Sequence, residues 1–153
     1  SEIRIVNPYP TGVRAVRRAL YRALKRGIRL RFMVSYSNDN RITPDVTALH
    51  MKKLMERGAE VWYYMNGFHH SKIMMVDGEF CTVGTANLDG RSLLFDYEVN
   101  AFIFDDETTR ELNAIFDEDL KDSWQLTKDN YKKKFNLSHR MSGRIFSSVK
   151  GML

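Results

Sequence analysis

The chain has one cysteine, Cys81, so no disulfide can close within it and a reducing compartment is the expected setting. Proline is scarce: only Pro8, Pro10 and Pro44 occur, and none lies beyond the first third. No apolar run approaches the roughly 20 residues that cross a bilayer, and the first residues do not read as a signal peptide. There is no internal repeat and no low-complexity segment. Histidine, cysteine and carboxylate never cluster at zinc spacing, so the sequence calls for neither a metal nor a cofactor. A secreted disulfide scaffold, a membrane-spanning helix and a zinc module are therefore not expected.

What remains is the composition of an ordinary globular domain, 43% hydrophobic and 28% charged over 153 residues. The net charge of +5 favours anionic partners, either phospholipid headgroups or nucleic acid. Charge is unevenly spread. Residues 102–123 hold eight acids against Arg110 and Lys121, whereas residues 128–153 hold seven Lys or Arg against Asp129.

Periodicity predicts an α/β domain. Ile3 to Val6 reads as a strand, and Thr11 as the N-cap of a helix with Val13, Val16, Leu20 and Leu24 on one face and Gly27 ending it. Ile28 to Val34 is a strand, Thr43-Pro44 opens a helix ending at Gly58, and Ala59 to Met65 is a strand leading to an Asn66-Gly67 turn. Tyr97 to Phe104 reads as a strand, and 106–123 as a helix with Leu112, Ile115, Phe116 and Leu120 inward. Alternating strands and helices followed by consecutive strands give a mixed sheet covered by helices. The expected division is a domain over 1–125, its core region at 64–91, and a basic amphipathic tail over 126–153. In that tail Leu137, Met141, Ile145, Val149 and Met152 recur at nearly helical spacing. Such a stripe either lies on an anionic membrane or packs on the domain's own sheet.

The most informative stretch runs from Phe68-His69-His70-Ser71-Lys72 through Asp77 to Gly84-Thr85-Ala86-Asn87. It fits H-x-K-x4-D-x6-G-[ST]-x-N, which would arise by chance on the order of a few times per million chains of this length, so coincidence is a small concern. On a strand, His70 and Lys72 leave one face and His69 the other. An imidazole beside a fixed cation supplies a nucleophile or acid next to a phosphate clamp. Asp77-Gly78 is a hairpin signal that returns 79–83 as the partner strand, bringing Thr85 and Asn87 back beside the start of the motif.

This pattern resembles the HxK signature of the phospholipase D superfamily. The run Thr85-Ala86-Asn87-Leu88-Asp89-Gly90-Arg91-Ser92, with Tyr97-Glu98-Val99-Asn100-Ala101-Phe102, is similar to the C-terminal half of bacterial cardiolipin synthases. Gly90 and Tyr97 depart from that family's usual residues. The resemblance implies a phospholipase D-like fold, a mixed β-sheet flanked by helices on both faces. It implies metal-free phosphatidyl transfer between phosphatidylglycerol molecules through a phosphohistidine, giving cardiolipin and glycerol.

By the same resemblance His70 is the nucleophile or its acid counterpart, and Glu98, eleven residues after Asn87, is its partner. Lys72, Thr85 and Asn87 would hold the phosphate oxygens, while Asp77 fixes the hairpin or pairs with a base. His50 and His139 are surface or packing residues. Such a site needs two HxK halves, so a second half-domain from the same parent chain, or an identical chain, is the expected partner. The pairing of identical chains would instead suit a homodimeric phosphodiesterase or nuclease acting on nucleic acid. A third possibility is a non-catalytic membrane-associating domain. The parent protein is expected at the cytoplasmic side of the bacterial membrane, with anionic phospholipid as its partner.

Overall fold

The structure, a computed structural model, describes residues 2–11, 13–39, 43–135 and 137–148. Strand β1 (Glu2–Val6) leads into helix α1 (Arg14–Lys25), then β2 (Arg29–Ser35), α2 (Thr43–Met55) and β3 (Glu60–Tyr64). Strands β4 (Ile73–Val76) and β5 (Phe80–Gly84) follow, then the short helix α3 (Gly90–Leu94) and β6 (Asn100–Ile103). Helix α4 (Asp106–Asp119), a 3₁₀ turn (Leu120–Asp122), β7 (Ser123–Gln125), α5 (Lys128–Lys134) and α6 (Leu137–Ser148) complete the order. The seven strands form one mixed sheet in the order β6-β5-β4-β1-β2-β3-β7. β1, β2 and β3 are parallel to one another, and the remaining pairings are antiparallel.

Strand alternation sends side chains into two cores. Ile5, Leu30, Phe32, Val34, Val61 and Tyr63 meet α2 through Ala48, Met51 and Leu54, with Leu20 and Leu24 of α1 against them. Leu126, Tyr131 and Phe135 belong to the same core, so the segment after β7 is packed onto the sheet. On the other face Val6, Met33, Met75 and Cys81 meet Phe116 of α4. Helices thus cover both faces, as the resemblance implies.

The helix ends follow their glycines. Gly27 has φ 79°, its N–H bonds to Leu24 and that of Ile28 to Ala23, the paired closure of a Schellman motif. Gly58, φ 97°, closes α2 likewise through Met55 and Leu54.

Five expectations are corrected. Ile115, expected inward, stands exposed on α4. Helix α1 is capped at Val13 without a side-chain hydrogen bond, not at Thr11. The strand expected through the motif starts only at Ile73, because the His69 N–H is taken by the Ser35 hydroxyl at 3.0 Å rather than by a neighbouring strand. Tyr97 to Val99 precede β6, since Thr85 occupies both backbone groups of Val99. The helix expected to reach Ser123 gives way at Leu120 to a 3₁₀ turn, and Ser123 opens β7.

Helix α6 packs on α2, not by its apolar stripe but by Gly143, where an added Cβ would lie 2.4 Å from the Asp45 carbonyl. His139 Nδ1 lies 2.7 Å from the Asp45 carboxylate on the same side. Met141 and Ile145 are exposed, so packing of this stripe on the domain's own sheet does not occur there. Val149, Met152 and the Leu137 side chain lie outside the described residues.

Candidate active site

The motif segments meet where β1 ends and α1 and α2 begin. Asp77 and Gly78, with φ 54° and 82°, form the tight turn that returns β4 as β5. Asp77 also exchanges hydrogen bonds with the backbone of Glu2, which ties this hairpin to β1 at the end of the sheet away from His70. Asp77 is therefore not brought to the other motif residues.

At the opposite end of the hairpin the Gly84 N–H bonds to the Lys72 carbonyl at 3.2 Å, so Lys72 and Thr85 lie beside one another. Gly84 is required there: an added Cβ would fall 2.3 Å from the Val99 carbonyl oxygen and 2.6 Å from Asn100 Cα. The following loop is held from three sides. Thr85 N–H bonds to Val99, Ala86 N–H to the Asn100 side chain, and Asn87 N–H to the Ser92 hydroxyl. Asn7, buried at the end of β1, accepts from both Tyr9 N–H and Leu88 N–H at 3.2 Å, linking the loop to the segment before α1.

His69 and His70 diverge. His69 Nε2 lies 2.9 Å from Asp119 Oδ2 at the end of α4, and its ring meets Tyr64 edge-on. The His70 ring is on the other side, exposed, against Tyr9 at 5.9 Å and Phe68 at 5.1 Å between centroids. Lys72 Nζ donates to the His70 carbonyl. Burial, then the Lys72 charge, lower the His70 pKa from its ordinary 6.5 against the opposing pull of Asp39, which favours the neutral ring. Burial also lowers Lys72, with Glu98, Asp39 and Asp89 acting the other way.

Glu98 is not paired with His70. Its carboxylate accepts from the Ser92 and Thr85 hydroxyls, and those bonds hold its pKa below the usual value. The physical reason is local: helix α3, capped by Asp89 on Ser92 N–H at 2.7 Å, points the buried Ser92 hydroxyl at Glu98. Asn87 lines the same loop, its side-chain oxygen buried without a hydrogen-bond partner among the described residues.

Sequence reasoning missed Asn7, Tyr9, Asp39 and Ser92. Tyr9 donates its hydroxyl to Asp39 and flanks His70, and burial with that bond raises its pKa. Asn7-Pro8-Tyr9-Pro10 after the first strand was the available signal for two of them, and Ser92 stands inside the family-like run. His50 is buried in α2, and no cluster of three metal-ligating side chains occurs among the described residues.

A seven-stranded mixed sheet with an HxK loop at one end defines the phospholipase D class, and solved structures agree on the fold. Nuc from Salmonella typhimurium, a phospholipase D family member, superposes with TM-score 0.74 at 15% identity over 84% of this chain and 83% of that one. Phosphatidylserine synthase from Haemophilus influenzae Rd KW20 does so with TM-score 0.69 at 16% identity, over 99% of this chain and 40% of that one. The family model described as cardiolipin synthase, PLD-like domain, matches residues 1–120, and the chain belongs to that family. It is 36% identical over 149 residues to the probable cardiolipin synthase YwiE of Bacillus subtilis (strain 168), covering 96% of this chain and 30% of that protein. It is 37% identical over 132 residues to cardiolipin synthase of Listeria monocytogenes serotype 4a (strain HCC23), covering 86% of this chain and 27% of that protein. The chain thus spans less than a third of the length of these relatives.

Proposed function

We propose that this chain supplies one half of a two-histidine phosphatidyltransferase site that makes cardiolipin from phosphatidylglycerol. The observation that carries the reading is His70: an exposed imidazole favoured in its neutral form, beside Lys72 and the Thr85–Asn87 loop. The His70 ring nitrogen attacks phosphorus, the bond from phosphorus to the glycerol oxygen breaks, and glycerol leaves with a proton from an acid on the opposite half. The primary hydroxyl of a second phosphatidylglycerol then returns a proton to that group and displaces His70. Lys72 and Asn87 donate to the non-bridging oxygens, while the single Thr85 hydroxyl proton is held by Glu98 and reaches a phosphate oxygen only when that carboxylate releases it. The site belongs at the cytoplasmic side of the bacterial membrane, among anionic phospholipids.

In-line displacement needs groups on both sides of phosphorus, and His70 cannot occupy both. A second HxK half is the partner, and its seat is the β6 edge of the sheet. Leu94, Phe95, Tyr97, Val99, Phe102 and Phe104 are exposed around β6, and two of them flank Glu98. Six exposed large apolar side chains along one stretch of chain fit an interface better than a solvated edge. The test is transfer from labelled phosphatidylglycerol by the isolated chain, then with the remaining half of a full-length relative added. Cardiolipin only in the mixture supports the reading. Cardiolipin from the monomer alone, or phosphodiester cleavage of DNA by a dimer, overturns it.

A further inference from the structure

The molecule is electrically divided by its sheet. Over one face, α1 carries Arg14, Arg17, Arg18, Arg22 and Lys25 with no carboxylate. Over the other, α4 carries six acids against Arg110, and Asp117 and Asp119 are committed to Arg4, Arg31 and His69. The cations of α1 have no such commitments: none of the five forms an ion pair among the described residues. Arg14, Arg18 and Arg22 stand at i, i+4 and i+8, all exposed, so α1 bears mutual repulsion that no ion pair among the described residues relieves. Neighbouring helices extend the charge. Arg57 lies over the Tyr21 ring of α1 at 4.1 Å, and Lys53 of α2 feels Arg17, Arg57, Lys52 and Arg144 of α6.

Two further observations choose among anions. Met141 and Ile145, one turn apart on α6 and both exposed, flank Arg144, an arrangement suited to a surface with an apolar interior. The site opens at the rim of this same helical layer, since Tyr9 beside His70 immediately precedes α1 and Asp39 precedes α2.

We propose that the layer led by the Arg14–Arg18–Arg22 stripe of α1, with Met141 and Ile145 of α6, is a docking surface for an anionic phospholipid bilayer. It rests on the phosphatidyl-transfer reading for its choice of lipid. The acidic α4 face turns outward, and headgroups enter at the edge where His70 stands.

The test is sedimentation of the 153-residue chain with equimolar phosphatidylglycerol–phosphatidylcholine vesicles and with pure phosphatidylcholine vesicles. Binding is expected to the first alone and to weaken with salt. R14A/R18A/R22A should lower the partition on the order of a hundredfold, at the usual contribution of a cation near such a surface. R14K/R18K/R22K should retain it, and M141S/I145S should weaken it severalfold. A triple-alanine chain with wild-type circular dichroism and wild-type partition overturns the proposal. So does equal capture by phosphatidylcholine, or displacement from vesicles by duplex DNA at equal phosphate. His70→Ala should bind vesicles as wild type does. Failed transfer by the wild-type paired halves with intact binding counts against the catalytic reading alone, and wild-type transfer without binding counts against docking alone.

Discussion

His69 and His70 are neighbours in the chain and belong to different parts of the molecule: His69 Nε2 sits 2.9 Å from Asp119, while the His70 ring meets Tyr9 on the other side. Their substitutions should separate cleanly. His70→Ala is expected to abolish phosphatidyl transfer by the paired halves and leave thermal stability unchanged. His69→Ala should cost about 1–3 kcal/mol of stability, the range for losing a hydrogen bond to a charged group. Melting curves beside a product assay decide it. Substantial turnover by folded His70→Ala would remove His70 from the chemistry.

The lowered His70 pKa has a definite sign. Below 6.5 the unfolded chain takes up a proton that the folded ring resists, so stability rises with pH from the depressed folded value up to 6.5. The neutral nucleophile consequently persists into mildly acidic solution. Proton NMR titration should put the His70 midpoint below 6.5, and Lys72→Met should move it upward. A midpoint above 6.5 in the wild type would contradict the arrangement.

Glu98 behaves oppositely. Its pKa is held below 4.5 by Ser92 and Thr85, so its contribution is present above 4.5 and lost as pH falls through the folded value. Glu98→Gln should flatten the acid limb of the stability profile and loosen Thr85. Faster amide exchange at Thr85 and Val99 is the measurement, and unchanged exchange would show the loop is held without it.

Gly84→Ala should destabilise by about 1–3 kcal/mol, because the new methyl meets backbone at Val99 and Asn100 rather than a movable side chain. Thermal melting of the variant checks this, and a stability equal to wild type would mean the two segments can part at no cost.

Turnover by the paired halves should survive excess chelator, since Lys72 and Asn87 meet the phosphate charge. Activity that vanished and returned with one divalent ion would show the clamp to be incomplete.

Much of the fold was legible because it rests on local signals. Gly27 and Gly58 end their helices as glycines do, and the alternating cores of β2 and β3 follow from their side-chain order. The motif named His70, Lys72, Thr85 and Asn87 and brought the last three together around one loop. What escaped depends on contacts between distant residues. Nothing near Glu98 in sequence says that Ser92, six residues away on a short helix, claims its carboxylate. Asn7 acquires meaning only when β1 is set beside the loop at Leu88. Strand β7 is three residues long and exists because β3 offers it an edge.

β1 is first in the chain yet central in the sheet, with β2 on one side and β4 on the other. Ile5 enters one core and Val6 the other. As the chain emerges from the ribosome, β1 can pair with β2 after some thirty residues, but its second edge stays open until 73–76 are made. Among the described residues the strand pairing that joins the two halves of the sheet runs from Ile3 to Val6 against Ile73 to Val76, which favours an order of folding with the parallel unit first and the meander bearing the HxK loop second. Changes at Ile5 or Val6 should therefore slow assembly of both halves, acting on the rate of folding before any effect on the finished site is felt.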